Sequence, residues 1–502
     1  MPVLAGLRCS ACRAGEHNEA PLGLVIRPRS TRVPGASLPV QCAMPAPGRA
    51  AGDAPGSRDE GGDRDQLPGP LAGALVMLAG VAGLAGARGG AVGSGVMCLV
   101  RVLGAVADGR DRRGIRHSLA SILAMAVAAV ACGEKSVTAI AQWARSAESD
   151  QELPGAPGAR RHPVTGRFHA PHKDTFDRAF AAAGAQSLDD VSGAWMLRQL
   201  SVIGRRPPET AGQDREHEDR EPEDREPRLR PAFAVDGKAV TGTIGPDGKM
   251  VHLLSAFEHQ HGVTIAQRQI SEKSNEIPAF APLLAGLDLR GWVATMDALH
   301  TRRAHAEFLH AAGIESIMIA KQNQPGLFSA LDAIDWPHVP LAFRTDERGR
   351  GRHEIRDIYL APAPPGLPFP YVSQAILIER YATRPVRGNG LTSYVKTAVA
   401  ELGITTLTAE NSTAAHIAAH IRGHWGIENR SHHSRDTTYG EDASRVRTAS
   451  KPRVMATIRN IAMAMIRLAG YPLIAPANRA LRYDFSQLTR VLSLDIQPVS
   501  TS

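Results

Sequence analysis

The 502-residue sequence predicts an α/β (α+β) protein, with a mixed sheet flanked by helices standing behind a small helical domain. Three observations predict it. Apolar, helix-forming runs fill the stretch from about residue 96 to 203. Short β-rich segments separated by Gly-containing turns begin at Ala232. Strands then alternate with helices, the order of a sheet covered on its faces.

The elements follow in order. Residues 1–95 begin in aperiodic Pro, Gly, Arg and Ala, which reads as a disordered or weakly ordered extension, or as translation from an upstream start codon. Within them the apolar run Leu71–Ala87 is mostly Ala and Gly and lies too far in for a signal peptide, so no membrane segment is expected. Helices are predicted over Ser118–Cys132, Ser136–Ala147 and Lys173–Gly184, each with a polar start or a Gly stop. They make up a helical N-terminal domain over 96–203. The basic approach Asp108–His117 suits a phosphate backbone, although a solvated loop is the commoner meaning of such a run.

A charged, Pro-punctuated linker over 204–231 cannot bury apolar surface. Strands are then predicted at Ala232–Val240, Met250–Glu258 and Gly262–Ser271, a helix at Glu276–Leu287, and a strand at Gly291–Leu299. Next come a helix at Arg302–Gly313 and a strand at Glu315–Lys321. Further strand-like runs, "EIRDIYLA" and "QAILIER", lie within 325–405, and helical texture returns from Asn411. A core of this kind ends near 485, leaving 486–502 as a tail.

Composition narrows the function. Hydrophobic content of 43% and charged content of 22% are those of an ordinary soluble protein. A net charge of +8 favours an acidic partner, with nucleic acid first. Five Cys make no disulfide framework and fit a reducing cytoplasm, and the single CxxC at Cys9–Cys12 lacks a second zinc-ligand pair.

Two of the strands each carry one acid in an apolar setting, Asp236 in "AFAVDGK" and Asp297 in "VATMDALH". Such an acid is costly unless paired or bound to metal. Either could simply cap a turn, but strands in this order lie side by side, so their carboxylates converge at one edge. Hard oxygen ligands suit Mg²⁺ or Mn²⁺, and two such ions serve phosphodiester displacement. A third carboxylate is found in "HWGIENRSHHSRD", where His424, Glu428 and His432 follow helical spacing with Arg435 beyond. An acid that holds metal among cations that hold phosphate explains this mixture. An exposed helix laced with its own ion pairs is the competing explanation.

These residues resemble the bacterial insertion-sequence transposases of the DDE superfamily, specifically the ISAs-type group. The resemblance runs from about Ala105 to Arg482 through "DRRGIRHSLASILAMAV", "AVDGKAV", "KSNEIPAF", "TMDALHT", "RGHWGIENR" and "RDTTYGEDASR". It implies an RNase H-like catalytic domain over 232–485, with a β-rich insertion at about 325–405. Asp236, Asp297 and Glu428 would be the catalytic, metal-binding triad holding two Mg²⁺ or Mn²⁺ ions. The implied activity is cleavage at the element's ends followed by strand transfer into target DNA.

Double-stranded DNA, as terminal inverted repeats and as target, is then the partner, engaged by a homodimer. DNA contacts are expected from Arg435, His424, Arg422, Lys238, His300, Trp425 and Arg430. The chain departs from the family where an aromatic and its neighbour become His433 and Ser434, and where a basic residue becomes Thr241. Those departures keep open a second reading, a catalytically degenerate DNA-binding protein.

Overall fold

The computed structural model describes residues 99–113, 115–147, 160–167, 169–203, 228–244, 250–271, 276–349, 351–388 and 391–493. The expected N-terminal extension and most of the charged linker lie outside the described residues. All described residues fall in one compact unit.

The N-terminal helices form where their caps and apolar content place them. After the short α1 (Leu99–Leu103), helix α2 (Leu119–Ala131) starts at Ser118, whose hydroxyl accepts the Ser121 N–H. Helix α3 (Val137–Ser146) starts at Ser136 in the same way, after a turn at Gly133 with φ of 90°. Helix α4 (Lys173–Ala182) is followed after Gly184 by α5 (Ala185–Ile203), a helix that the sequence reading left undivided.

The sheet of the described residues has nine strands in the order β3-β2-β1-β4-β5-β9-β8-β7-β6. Its first half comprises β1 (Ala232–Val240), β2 (Val251–Glu258), β3 (Thr264–Ile270), β4 (Val293–Met296) and β5 (Glu315–Ala320). Strand β1 pairs antiparallel with β2 and parallel with β4, and β4 runs parallel to β5. Each parallel step is bridged by a helix, α6 (Glu276–Leu284) before β4 and α7 (Arg303–Ala311) before β5. All four residues of β4 are buried, as expected of a strand with neighbours on both sides and helices above and below. This is the RNase H-like arrangement.

Alternation along β1 separates the two faces. Phe233 and Val235 join the core that contains Phe280 of α6. Ala234, one step out of phase, packs with Ile427 on the opposite face. The latter face also receives α9 (Ala414–His424), started by Thr413, whose hydroxyl accepts the His416 N–H.

The insertion begins with α8 (Pro325–Asp332) and continues as β6 (Leu341–Gly349), β7 (Arg352–Pro362), β8 (Gln374–Gly388) and β9 (Leu391–Thr405). It extends the main sheet, because β9 pairs antiparallel with β5 from Ile317↔Thr405 to Ala320↔Leu402.

Both ends of the described chain pack onto the sheet domain. The N-terminal helices do not stand apart from the sheet. Buried Asp189 of α5 binds Arg453 and Thr457 of α11 (Lys451–Leu468) and Gln267 of β3. The expected tail at 486 is instead α13 (Phe485–Ser493), which follows α12 (Ile474–Tyr483) and buries Leu488 and Val491. Its apolar residues recur at helical spacing, and a covered face is what that spacing requires.

Candidate active site

Two acids arrive at one sheet edge by strand register. Val235 of β1 stands opposite Met296 of parallel β4, so the next residues emerge side by side, Asp236 in the middle of β1 and Asp297 just past the carboxyl end of β4. Asp236 has the parity of Ala232 and Ala234 and therefore leans toward the face bearing Ile427. Its Oδ1 accepts the Gly237 N–H at 2.8 Å. Asp297 is exposed, and its Oδ1 accepts the N–H groups of Leu299 at 3.0 Å and His300 at 3.3 Å. The turn-capping role and the edge position coexist in Asp297.

The third acid depends on an irregular helix. After α9 the chain forms a π-helical segment, Ile427–His432, and then the short α10 (His433–Thr437). Ile427 anchors the segment against Ala234 and Phe257, which carries Glu428 over the middle of β1 near Asp236. The side chain of Glu428 is 57% exposed, with His432 Nδ1 at 3.5 Å. The same nitrogen is 3.8 Å from Asp236 Oδ2. Asp236, Glu428 and His432 can bring one ligand atom each within 4.8 Å of one another.

The electrostatics agree with the geometry. Burial and the adjacent Glu428 carboxylate push the Asp236 carboxyl well above the usual range, and Asp297 and Glu276 add to the effect. The His432 imidazole beside Glu428 holds that carboxyl low. Nearby Lys238 is engaged elsewhere, by Asp436 at 2.7 Å and Asp442 at 3.8 Å. Carboxylates gathered at one edge in this way fit a divalent cation, whose charge would relieve their repulsion. The oxygen-rich set suits Mg²⁺ or Mn²⁺. The Nε2 of His432, buried and without a hydrogen-bond partner, is a further polar atom left at the site.

The π-helical turn overturns the single cationic stripe expected around Glu428. A wider turn rotates every later residue out of the α-helical register. Arg435 is 0% exposed and binds buried Glu441 at 2.7 Å, so it does not face DNA. His424 is half-buried and shares the Thr295 hydroxyl with His259, each at 3.1 Å. Arg430 donates to the backbone carbonyls of His259, Gln260 and His261, fastening the turn after β2. His300 is 1% exposed and Lys238 is buried in its two ion pairs. None of these five offers its cation to an approaching phosphate.

Two DNA-contact candidates remain on the surface. Trp425 is 45% exposed with the Arg380 guanidinium 5.9 Å from its ring centroid. Arg422 is exposed and pairs with Glu347. Beside them the sequence reading missed a set of arginines on the insertion. Arg356 of β7 stands directly opposite Arg380 of β8 on one face, and Glu354 pairs with both Arg352 and Arg356. Arg356, partly buried near Arg422, Arg380 and Arg352, is pushed down to about 10. The β-strand alternation of arginines in "RHEIRDIYL" was the available signal.

With this geometry in hand, the comparisons with known proteins are specific. Residues 227–465 match the model of the transposase DDE domain, and residues 100–196 match the DDE_Tnp_1-associated model. These two matches support a DDE-type insertion-sequence transposase. Among its relatives are the protein YbfL and the "H repeat-associated putative transposase YhhI", both of Escherichia coli K12. Each is 27% identical over 248 residues, which is 47% of this chain and 64% of the relative. The alignments therefore span less than two thirds of those relatives' lengths. A cryo-EM structure of the piggyBac transposase synaptic complex with hairpin DNA aligns over 80% of both chains, at 7% identity and a TM-score of 0.33.

Proposed function

We propose that the chain cuts DNA at the ends of an insertion sequence and joins the freed 3′-hydroxyls to target DNA. The observation that carries this reading is the parallel register of β1 and β4, which brings Asp236 and Asp297 to one edge beneath Glu428. Asp236, Asp297 and Glu428 would hold two Mg²⁺ or Mn²⁺ ions. When bound, such ions lower the pKa of an attacking water or hydroxyl and stabilise the leaving oxygen of a phosphodiester.

The protein's own residues supply position and orientation. The Asx-type turn at Asp297 aims one carboxylate oxygen away from its own backbone donors. His432 orients Glu428 from the buried side. The phosphate backbone is met by the arginines of β7 and β8, with Trp425 available to stack on an unpaired base. Presenting DNA from the insertion, and not from the helix that bears Glu428, leaves the acids free for metal.

The test is an end-cleavage assay on DNA spanning the gene's flanks, with Mg²⁺ or Mn²⁺ as the variable. Metal-dependent nicks at inverted repeats, lost in Asp297→Asn, are expected. Binding to those ends with no cleavage in either metal would instead establish a degenerate DNA-binding protein.

A further inference from the structure

Glu276, the first residue of α6, is a buried carboxylate that the three-acid reading does not use. It is only 3% exposed. It approaches β1 from the face opposite Glu428, where Gly237 leaves a gap. A Cβ at Gly237 would lie 2.3 Å from Glu276 Oε1 and 3.0 Å from Oε2, so the carboxylate occupies the space that any other side chain would need. Glycine after Asp236 is thus explained by the acid beside it, not by a turn.

A second group points into the same place. His300 lies in the turn that Asp297 caps, and its Nε2 is 3.6 Å from Glu276 Oε2. The ring packs against Phe280 and His305, and both of its nitrogens are buried without a hydrogen-bond partner. A first-turn acid gains from the helix dipole, but by less than burying a carboxylate costs. Buried carboxylates are paired with cations or coordinate metals.

We propose that Glu276 is a fourth acidic ligand of the divalent-metal centre, reaching the Asp236–Asp297 edge through the space that Gly237 leaves open. The proposal rests on the metal-centre reading above, and it means that the centre draws acids from both faces of the sheet.

Calorimetric titration of the full chain with MnCl₂ tests it, with Asp236→Asn as the reference for loss of the centre. Glu276→Gln is expected to weaken Mn²⁺ binding at least about tenfold, as removal of a ligand or its close support does. Wild-type affinity in Glu276→Gln, with binding lost in Asp236→Asn, would overturn this proposal and leave the three-acid centre standing. Equal behaviour of wild type and Asp236→Asn would overturn both. A measurement on the unaltered chain guards against misfolded variants. Fe²⁺ loaded in place of Mg²⁺, with ascorbate and peroxide, cuts the backbone near the ion. Cuts beside residue 276 as well as 236 and 297 are expected. Cuts at 236 and 297 with none near 276 would refute the fourth ligand.

Discussion

Glu428 and Glu441 lie 13 residues apart, each with arginines close by in sequence, yet the fold gives them opposite surroundings. Glu441 is 0% exposed and held between Arg435 at 2.7 Å and Arg459 at 2.8 Å. Glu428 is exposed, faces another carboxylate, and has the His432 imidazole as its nearest partner. A buried acid between two guanidiniums is a structural clamp, whose removal leaves charges uncompensated. An exposed acid set against a second acid is unfavourable alone and becomes favourable when a cation arrives. The contrast separates what holds the helix in place from what it presents.

The comparison can be broken most directly through catalysis. Glu428→Gln, Asp236→Asn and Asp297→Asn should each lower end cleavage on the order of 10³-fold. Urea unfolding of Glu428→Gln should change little, within about 0.5 kcal/mol, because its side chain is exposed. Cleavage at the wild-type rate in any of the three would remove that acid from the centre.

Glu441→Gln should do the reverse. Losing the clamp should cost about 3–5 kcal/mol in urea unfolding, since Arg435 and Arg459 stay buried. Arg435→Ala should likewise destabilise, while the salt dependence of DNA binding keeps its wild-type slope. A shallower slope would mean that Arg435 leaves Glu441 to meet phosphate.

Trp425→Ala sharpens the surface side of the contrast. It should weaken binding to single-stranded or distorted DNA by about 1–3 kcal/mol, with stability nearly unchanged. Unaltered affinity in a filter-binding or anisotropy assay would count against stacking.

The smallest effect concerns pH. Burial pushes His259 down to about 3 and His420 to about 4, below the ordinary 6.5. The unfolded chain therefore takes up these protons first. The associated stability is fully present above pH 6.5 and is lost as pH falls from there toward the folded values. Each histidine contributes up to about 1.4 kcal/mol per pH unit across that window. His259→Gln should flatten the slope of stability between pH 6.5 and 5, and an unchanged slope would argue that His259 protonates without cost.

Much of the fold was legible because its signals are local. Ser118 and Ser136 mark helix starts by their own hydroxyls, and β1 begins and ends where the sequence pattern places it. Strand order also followed, since β1 and β4 lie adjacent and carry their acids to one edge. The end of the chain was misread because its last amphipathic helix is stable only against a core that lies far away in sequence.

The sequence by itself determined where most strands and helices lie, because residue type, capping and alternation act over a few positions. Only the tertiary structure decided which charges face the site. A single π-helical turn rotated Arg435 into the core, and a glycine on β1 admitted Glu276 from the opposite face. Both depend on packing between segments distant in sequence, and helical periodicity alone carries no record of either.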